Sequence, residues 1–341
     1  MYLYLMGRGH SGSTVLDIAL GNAAAVESVG ELAALGAPRW RSGEIPCSCG
    51  APVDGCPFWR EVRRRFEAAG GGDWGAAAEA LYAHGHVRNF WRTLRADPDP
   101  AGAPADLAAL ARAAAALRDA MAAASGKPHV LDSSKEPTRA LLLLKYLPGD
   151  ARVVHLVRDP RGIARSHHWR IADGRGFLFL RRRFRATWTG PLFLLLGAAS
   201  WTAGNLLAEL VACRHPDRVL RLRYEDLRRD PAAAVRLVGS AFGLPVEDAA
   251  LRLERGEALA VGHNVGGNHI RHERGGVRFD AGAEAARPPL PRWAELATLA
   301  LCWPLMGRYG YPLRPAPAAA GGPPATPGAE AAGRTRSSGA A

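Results

Sequence analysis

Lysine is nearly absent from this 341-residue chain: of its 44 basic residues only Lys127, Lys135 and Lys145 are lysine, and the rest are arginine. Cysteine is sparse too, with five in all, which excludes a disulfide scaffold at this length. Charged residues make up 22% against 48% hydrophobic, a balance that excludes a disordered chain, a collagen-like fibre and a polytopic membrane protein. The opening MYLYLMGRGHSGST lacks a basic segment followed by an apolar stretch and a cleavage site, so a reducing cytoplasm is the expected compartment. Zinc-finger spacing, a helix-turn-helix signal and aromatics interleaved with a basic stripe are all missing, so nucleic acid is not an expected partner.

What is present is a net charge of +12, which attracts anions and points to a phosphorylated small molecule. The first strand reads from Tyr2 to Met6, then a glycine-rich turn, then a helical pattern from Thr14 to Leu20. Alanine-rich helical stretches fill Ala76 to Ala124, broken by the loop chemistry of DPDPAGAP at 97–104. Strand signals return at His129 to Leu131, Arg152 to Val157 and Val219 to Tyr224, each followed by a helix-like segment. Strands alternating with helices predict an α/β fold with a central parallel sheet flanked by helices and a mostly helical insert at about 35–125. Beyond Arg314 the Pro/Ala/Gly-rich tail (315–341) has no aromatic or large aliphatic residue and is expected to be disordered.

Gly190 to Cys213 carries one charge, Glu209, and is long enough to cross a bilayer. Gly197, Gly204, Asn205 and Glu209 within it favour a buried core helix, and peripheral membrane contact is the alternative. Cys47, Cys49 and Cys56 leave three options: packing thiols, a labile disulfide, or a structural metal completed by a remote histidine such as His84 or His86. Three ligands do not make a set, and no metal is assigned.

Gly7-Arg8-Gly9-His10-Ser11-Gly12-Ser13-Thr14 lies between the first strand and helix, where backbone N–H groups and the helix dipole hold a phosphate. Its glycine spacing matches the nucleotide-triphosphatase loop, but Ser13 stands where that loop needs lysine, which counts against magnesium-dependent phosphoryl transfer. The loop HSGST with Arg8 before it resembles the 5′-phosphosulfate loop of sulfotransferases that use 3′-phosphoadenosine 5′-phosphosulfate (PAPS). VVHLVRDPRGIARS (Val153 to Ser166) resembles that family's 3′-phosphate motif, with Arg158 at a strand end and Ser166 two turns into a helix begun by Asp159 and Pro160. LDSSKEPTRALLLL (131–144), RLRYEDLRRDP with AFGLP (221–245), and Asn268 and Arg271 in GNHIR extend the resemblance over most of residues 1–313, the last to an element of bacterial members.

The resemblance implies a P-loop-like three-layer α/β fold, PAPS as co-substrate with no metal required, and an acceptor that is a small molecule, glycan or lipid. It implies donor binding by Arg8, Gly9, His10, Ser11, Gly12, Ser13, Thr14, Arg158, Ser166, Asn268 and Arg271. Glu31 in ESVGEL resembles the family's general base, with His84, His86, His167 and His168 as competitors; His10 and Lys135 complete the catalytic candidates. His10 departs from the pattern, since many members carry lysine or arginine there, which shifts the permanent charge to Arg8 or Lys135. The alternatives are a kinase-like phosphotransferase with a degenerate loop and a non-catalytic, membrane-associated anion-binding protein.

Overall fold

The computed structural model describes residues 1–99, 101–147, 149–172, 189–273, 275–279 and 289–314; the tail expected to be disordered lies outside them. Five strands, β1 (Tyr2–Gly7), β2 (Val26–Ser28), β3 (His129–Lys135), β4 (Ala151–Val157) and β5 (Val219–Arg223), form one sheet in the order β2-β3-β1-β4-β5. Every pairing is parallel. β1 is apolar along its whole length because parallel strands are covered on both sides. Its alternate residues divide between two cores: Tyr2, Tyr4 and Met6 face one, and Leu3 and Leu5 the other.

The Leu3 face is covered by helices α1 (Ser13–Gly21), α8 (Pro231–Phe242) and α9 (Glu247–Glu254). The Tyr2 face is covered by α5 (Pro137–Tyr146) and by the insert, whose main helices are α2 (Pro57–Ala68), α3 (Trp74–His84) and α4 (Ala105–Ser125). The three expected layers and the helical insert are therefore present. The sequence reading missed β2, which has three residues, too short to show a period.

Helix α6 (Pro160–Ala172) begins at the expected proline, and Asp159 Oδ1 accepts the Arg161 N–H at 2.8 Å. Helix α7 (Thr189–Arg214), expected as a buried core helix with membrane contact as the alternative, is buried along one side only. Ala198, Trp201, Asn205, Ala208, Glu209 and Val211 are buried, whereas Leu192, Leu195, Leu196, Leu206 and Leu210 are exposed; only 28% of its most apolar window is covered. The two polar residues are fixed on the covered side, where Asn205 Oδ1 lies 3.0 Å from His155 Nε2 and Glu209 accepts from Arg221 and Arg308. Helix α10 (Arg292–Arg308) packs along α7 through Leu299, Cys302, Leu305 and Met306.

Strand order reverses at β1, whose successors in the sheet lie on opposite sides of it. In such sheets the crevice beyond the strands' carboxyl ends at that reversal is where ligands bind.

Candidate active site

The turn from β1 to α1 fills that crevice. Gly12 precedes α1 with φ +90°, and a Cβ there would lie 2.2 Å from the Tyr224 ring, so only glycine lets the turn close against it. In the first turn of α1 the Val15 and Leu16 amides bond back to the Gly12 carbonyl at 3.0 and 3.1 Å, which leaves the Ser13 and Thr14 amides ahead of the helix's first carbonyl. Ser11 Oγ is buried without a hydrogen-bond partner among the described residues. An unsatisfied hydroxyl beside outward-facing amides is the donor set of an anion cradle.

Arg158 leaves the end of β4 and reaches this turn. Its Nη1 donates to the His10 carbonyl at 2.6 Å, and its guanidinium lies over the Tyr224 ring, 4.4 Å from the centroid. Its own carbonyl accepts from the Trp201 indole at 3.1 Å, which fixes the strand end. Ser166 Oγ lies 3.5 Å from His10 Nδ1. Two stretches separated by some 150 residues in sequence thus meet at His10.

On the other side of β1, Lys135 ends β3. The β1–β3 register moves from Tyr4↔Asp132 to Met6↔Lys135, so β3 carries one extra residue there, a bulge that re-aims the side chain. Lys135 Nζ donates to Glu31 Oε1, and both side chains are partly buried. Lys135 (φ 81°) and His10 (φ 65°) are the described non-glycine residues with positive φ. Each such conformation costs about 1–3 kcal/mol and is found mostly where surrounding contacts hold it for a function.

Glu31 is positioned from two directions. Its N–H donates to the Val265 carbonyl at 2.6 Å, and the preceding Gly30 (φ +73°) lets that segment approach, since a Cβ would lie 2.3 Å from the same oxygen. Asp132 receives the Leu32 N–H at 3.3 Å. Gly267 packs between Glu31 and α1: a Cβ there would be 3.1 Å from Thr14 Oγ1 and 3.7 Å from Glu31 Oε1.

Asn268 sends its backbone N–H to Thr14 Oγ1 at 3.2 Å, while its side chain accepts from Ile270 N at 3.3 Å. Arg271 donates to the Gly266 carbonyl at 2.5 Å and to Pro46 O at 3.5 Å, and stacks 4.8 Å above Trp40. Arg271 therefore braces the late loop, and the loop's main chain makes the contact with α1. Arg8 turns toward α7, where Nη2 donates to Ser200 Oγ.

The competing histidines are placed differently. His84 is buried beside Thr93 Oγ1 at 3.4 Å, and burial drives it down to about 4; His86 packs edge-on to Tyr82. The side chains of His167 and His168 lie outside the described residues. Neither His84 nor His86 meets the cysteines, which are joined by His263 instead.

One carboxylate was missed. Glu136 follows Lys135 directly, accepts from the Tyr4 hydroxyl at 3.4 Å, and is raised to about 7 by burial, with Lys135 pulling the other way. The signal was in DSSKEP, but a second acid beside a lysine reads as a solvated pair until the fold buries it.

A profile described as "Sulfotransferase family" matches residues 3–248, and the chain belongs to that family. Carbohydrate sulfotransferase 1 of Danio rerio is 32% identical over 181 residues, 49% of this chain and 41% of that relative, so the match spans less than half of the relative's length. Among solved structures, the sulfotransferase domain of the Synechococcus PCC 7002 olefin synthase is 19% identical, with a TM-score of 0.49 over 92% of this chain and 95% of that one. The sulfotransferase domain of the curacin biosynthetic pathway is 17% identical, with a TM-score of 0.48 over 92% and 98%.

Beneath the loop, Asp17 of α1 is fully buried, accepting from Ser28 Oγ at 2.5 Å and Asn264 Nδ2 at 2.7 Å. Burial pushes its carboxyl from 3.8 up to about 7, against the hydrogen bonds that lower it. Between those values the folded state holds a proton that the unfolded chain releases, so stability falls as pH rises through this window. From pH 5 to pH 8, wild type should lose roughly 2–3 kcal/mol relative to Asp17→Asn in urea unfolding; parallel pH profiles for the two proteins would reject this protonation state.

Proposed function

We propose that this chain transfers the sulfuryl group of PAPS to a hydroxyl or amine of a small-molecule, glycan or lipid acceptor in a reducing cytoplasm. The observation that carries the reading is the meeting of Arg158 and Ser166 with His10, which puts the two phosphate-recognition stretches in one crevice. The similarity to a carbohydrate sulfotransferase supports keeping glycans among the acceptors.

In this reading the amides of Gly9, His10, Gly12, Ser13 and Thr14 and the hydroxyls of Ser11, Ser13 and Thr14 hold the 5′-phosphosulfate, while Arg158 and Ser166 take the 3′-phosphate. The late loop at Asn268 closes over α1, with Arg271 as its brace. The acceptor oxygen attacks sulfur in line, the bond from sulfur to the bridging oxygen breaks, and its electron pair leaves on the 5′-phosphate. Lys135, His10 and Arg8 offset the growing charge on that oxygen. Glu31 takes the acceptor proton, and its ion pair with Lys135 holds the side chain in position. No step in this scheme calls on a metal ion.

Glu136 is the second candidate base, favoured by a protonation equilibrium near neutrality. Exposed Leu192, Phe193, Leu195 and Leu196 of α7 lie beside the helix that carries exposed Trp293, Leu296, Leu301 and Trp303, and in this reading that apolar face gives reversible membrane contact.

Adenosine 3′,5′-bisphosphate should raise the melting temperature, and Arg158→Ala should weaken its binding by about 10–100-fold, the worth of a charge-assisted hydrogen-bonded contact. Stabilisation by ATP with magnesium and none by the bisphosphate would favour the phosphotransferase alternative. Glu31→Gln should lower kcat by about 10²–10⁴ and leave bisphosphate affinity intact; a greater loss in Glu136→Gln would hand the proton to Glu136. Sedimentation with anionic vesicles should retain wild type more than a Leu196→Ser/Trp303→Ser double variant, and equal retention removes the membrane contact.

A further inference from the structure

The insert places Cys47, Cys49 and Cys56 on a tight turn ahead of α2. Gly50 N–H donates to the Cys47 carbonyl at 2.8 Å and Cys47 N–H to the Ala51 carbonyl at 2.9 Å, folding the Cys-x-Cys segment back on itself. His263 comes from 207 residues beyond Cys56, and its Nδ1 lies 3.2 Å from Cys56 Sγ and 3.9 Å from Cys47 Sγ. Sulfur-to-sulfur separations are 3.7 Å for Cys49 and Cys56 and 3.9 Å for Cys47 and Cys56. All four ligand atoms lie within 4.8 Å of one another.

These distances discriminate between the three options for the cysteines. A disulfide needs sulfurs about 2.0 Å apart, and all of these cysteines are free thiols. A tetrahedral zinc ion with Zn–S of about 2.3 Å and Zn–N of about 2.0 Å sets sulfur–sulfur edges of about 3.8 Å and sulfur–nitrogen edges of about 3.5 Å. The observed separations bracket those edges. Thiols that merely filled apolar space would have no reason to gather around one imidazole, with two of them facing its Nδ1 and the third, exposed Cys49, beside them.

The histidine is also held as a ligand is held. Phe58 stacks on its ring at 5.3 Å with a 9° interplanar angle, and the Trp59 indole donates to its carbonyl at 3.0 Å. Ser48, between the first two cysteines, locks the two segments together: its Oγ donates to Gly262 O at 2.7 Å and accepts from Asn264 N at 2.8 Å. Such outer contacts fix ligand orientation in metal sites.

We propose that Cys47, Cys49, Cys56 and His263 bind one zinc ion in a closed, structural Cys₃His site. Four protein ligands leave no open coordination position, and thiolate-rich sets select zinc among the common divalent ions. The ion would staple the insert to residues 262–272. That segment pairs with Gly30 through Val265, bonds Asp17 through Asn264 and contacts Thr14 through Asn268. Zinc would thus hold Glu31 and the late loop in place from outside the reacting centre, whatever donor and acceptor the crevice takes.

The test is metal analysis of the full chain, purified under reducing conditions without chelator. About one zinc per chain is expected, and cobalt exchanged into the site should show a thiolate-to-cobalt charge-transfer band. Cys49→Ser, at the exposed ligand, should retain less than about a quarter of the zinc. Because a ligand variant can misfold, wild type stripped by a chelator and refilled with zinc gives the second measurement, and its melting temperature should rise on refilling. Metal content below about a tenth per chain both as purified and after refilling, or a Cys49–Cys56 disulfide in the unreduced peptide map, overturns the proposal.

Discussion

The carboxylate of Asp132 is the point on which the site's arrangement depends. It is completely buried in the middle of β3 and paired with Arg139, itself 1% exposed, at 2.9 Å. Tyr2 donates to the same oxygen at 2.8 Å, and the other oxygen takes the Ser134 N–H at 2.9 Å and the Leu32 N–H at 3.3 Å. One charge therefore joins β1, β3, α5 and the turn that carries Glu31. A buried pair of this kind adds little net stability over an apolar substitute, but removing one partner strands the other and costs about 3–5 kcal/mol. Its value lies in specificity of position: β3 ends where its bulge delivers Lys135 to Glu31.

Parallel topology does the rest. Because β1, β3 and β4 run the same way, their carboxyl ends deliver the loop, Lys135 and Arg158 to one edge, although they are far apart in the chain. His10 and Lys135 stand on either side of this edge in backbone conformations that a side chain rarely adopts. Arg158 holds the first by its carbonyl, and the ion pair with Glu31 holds the second. The strain is sustained by contacts that also define the crevice.

What could be read from the sequence follows the range of the signals. The β1 strand, its glycine turn and α1 form a local unit, and Arg158 before Asp-Pro marks a strand end and a helix start within three residues. β2 has only Val26, Glu27 and Ser28, too few for alternation to register. His263 could not be found by spacing, since its distance from the cysteines is set by the late loop folding over α1. The remote histidines expected to complete the set, His84 and His86, are turned elsewhere by the insert. Helix α7 misled for another reason: composition reports how apolar a helix is, while the geometry of its neighbour α10 decides how much of it is covered.

The carboxylates beside Lys135 show how one fold gives neighbouring acids different surroundings. Glu31 faces the ammonium of Lys135 and keeps part of its surface in water. Glu136, one residue from the same lysine, is buried against Tyr4, and there desolvation outweighs the lysine and lifts it to about 7. Burial lowers Arg8, and the charge of that same glutamate draws it back up. Two acids flanking one lysine thus sit in different surroundings: Glu31 is paired with the ammonium and partly in water, and Glu136 is buried against Tyr4.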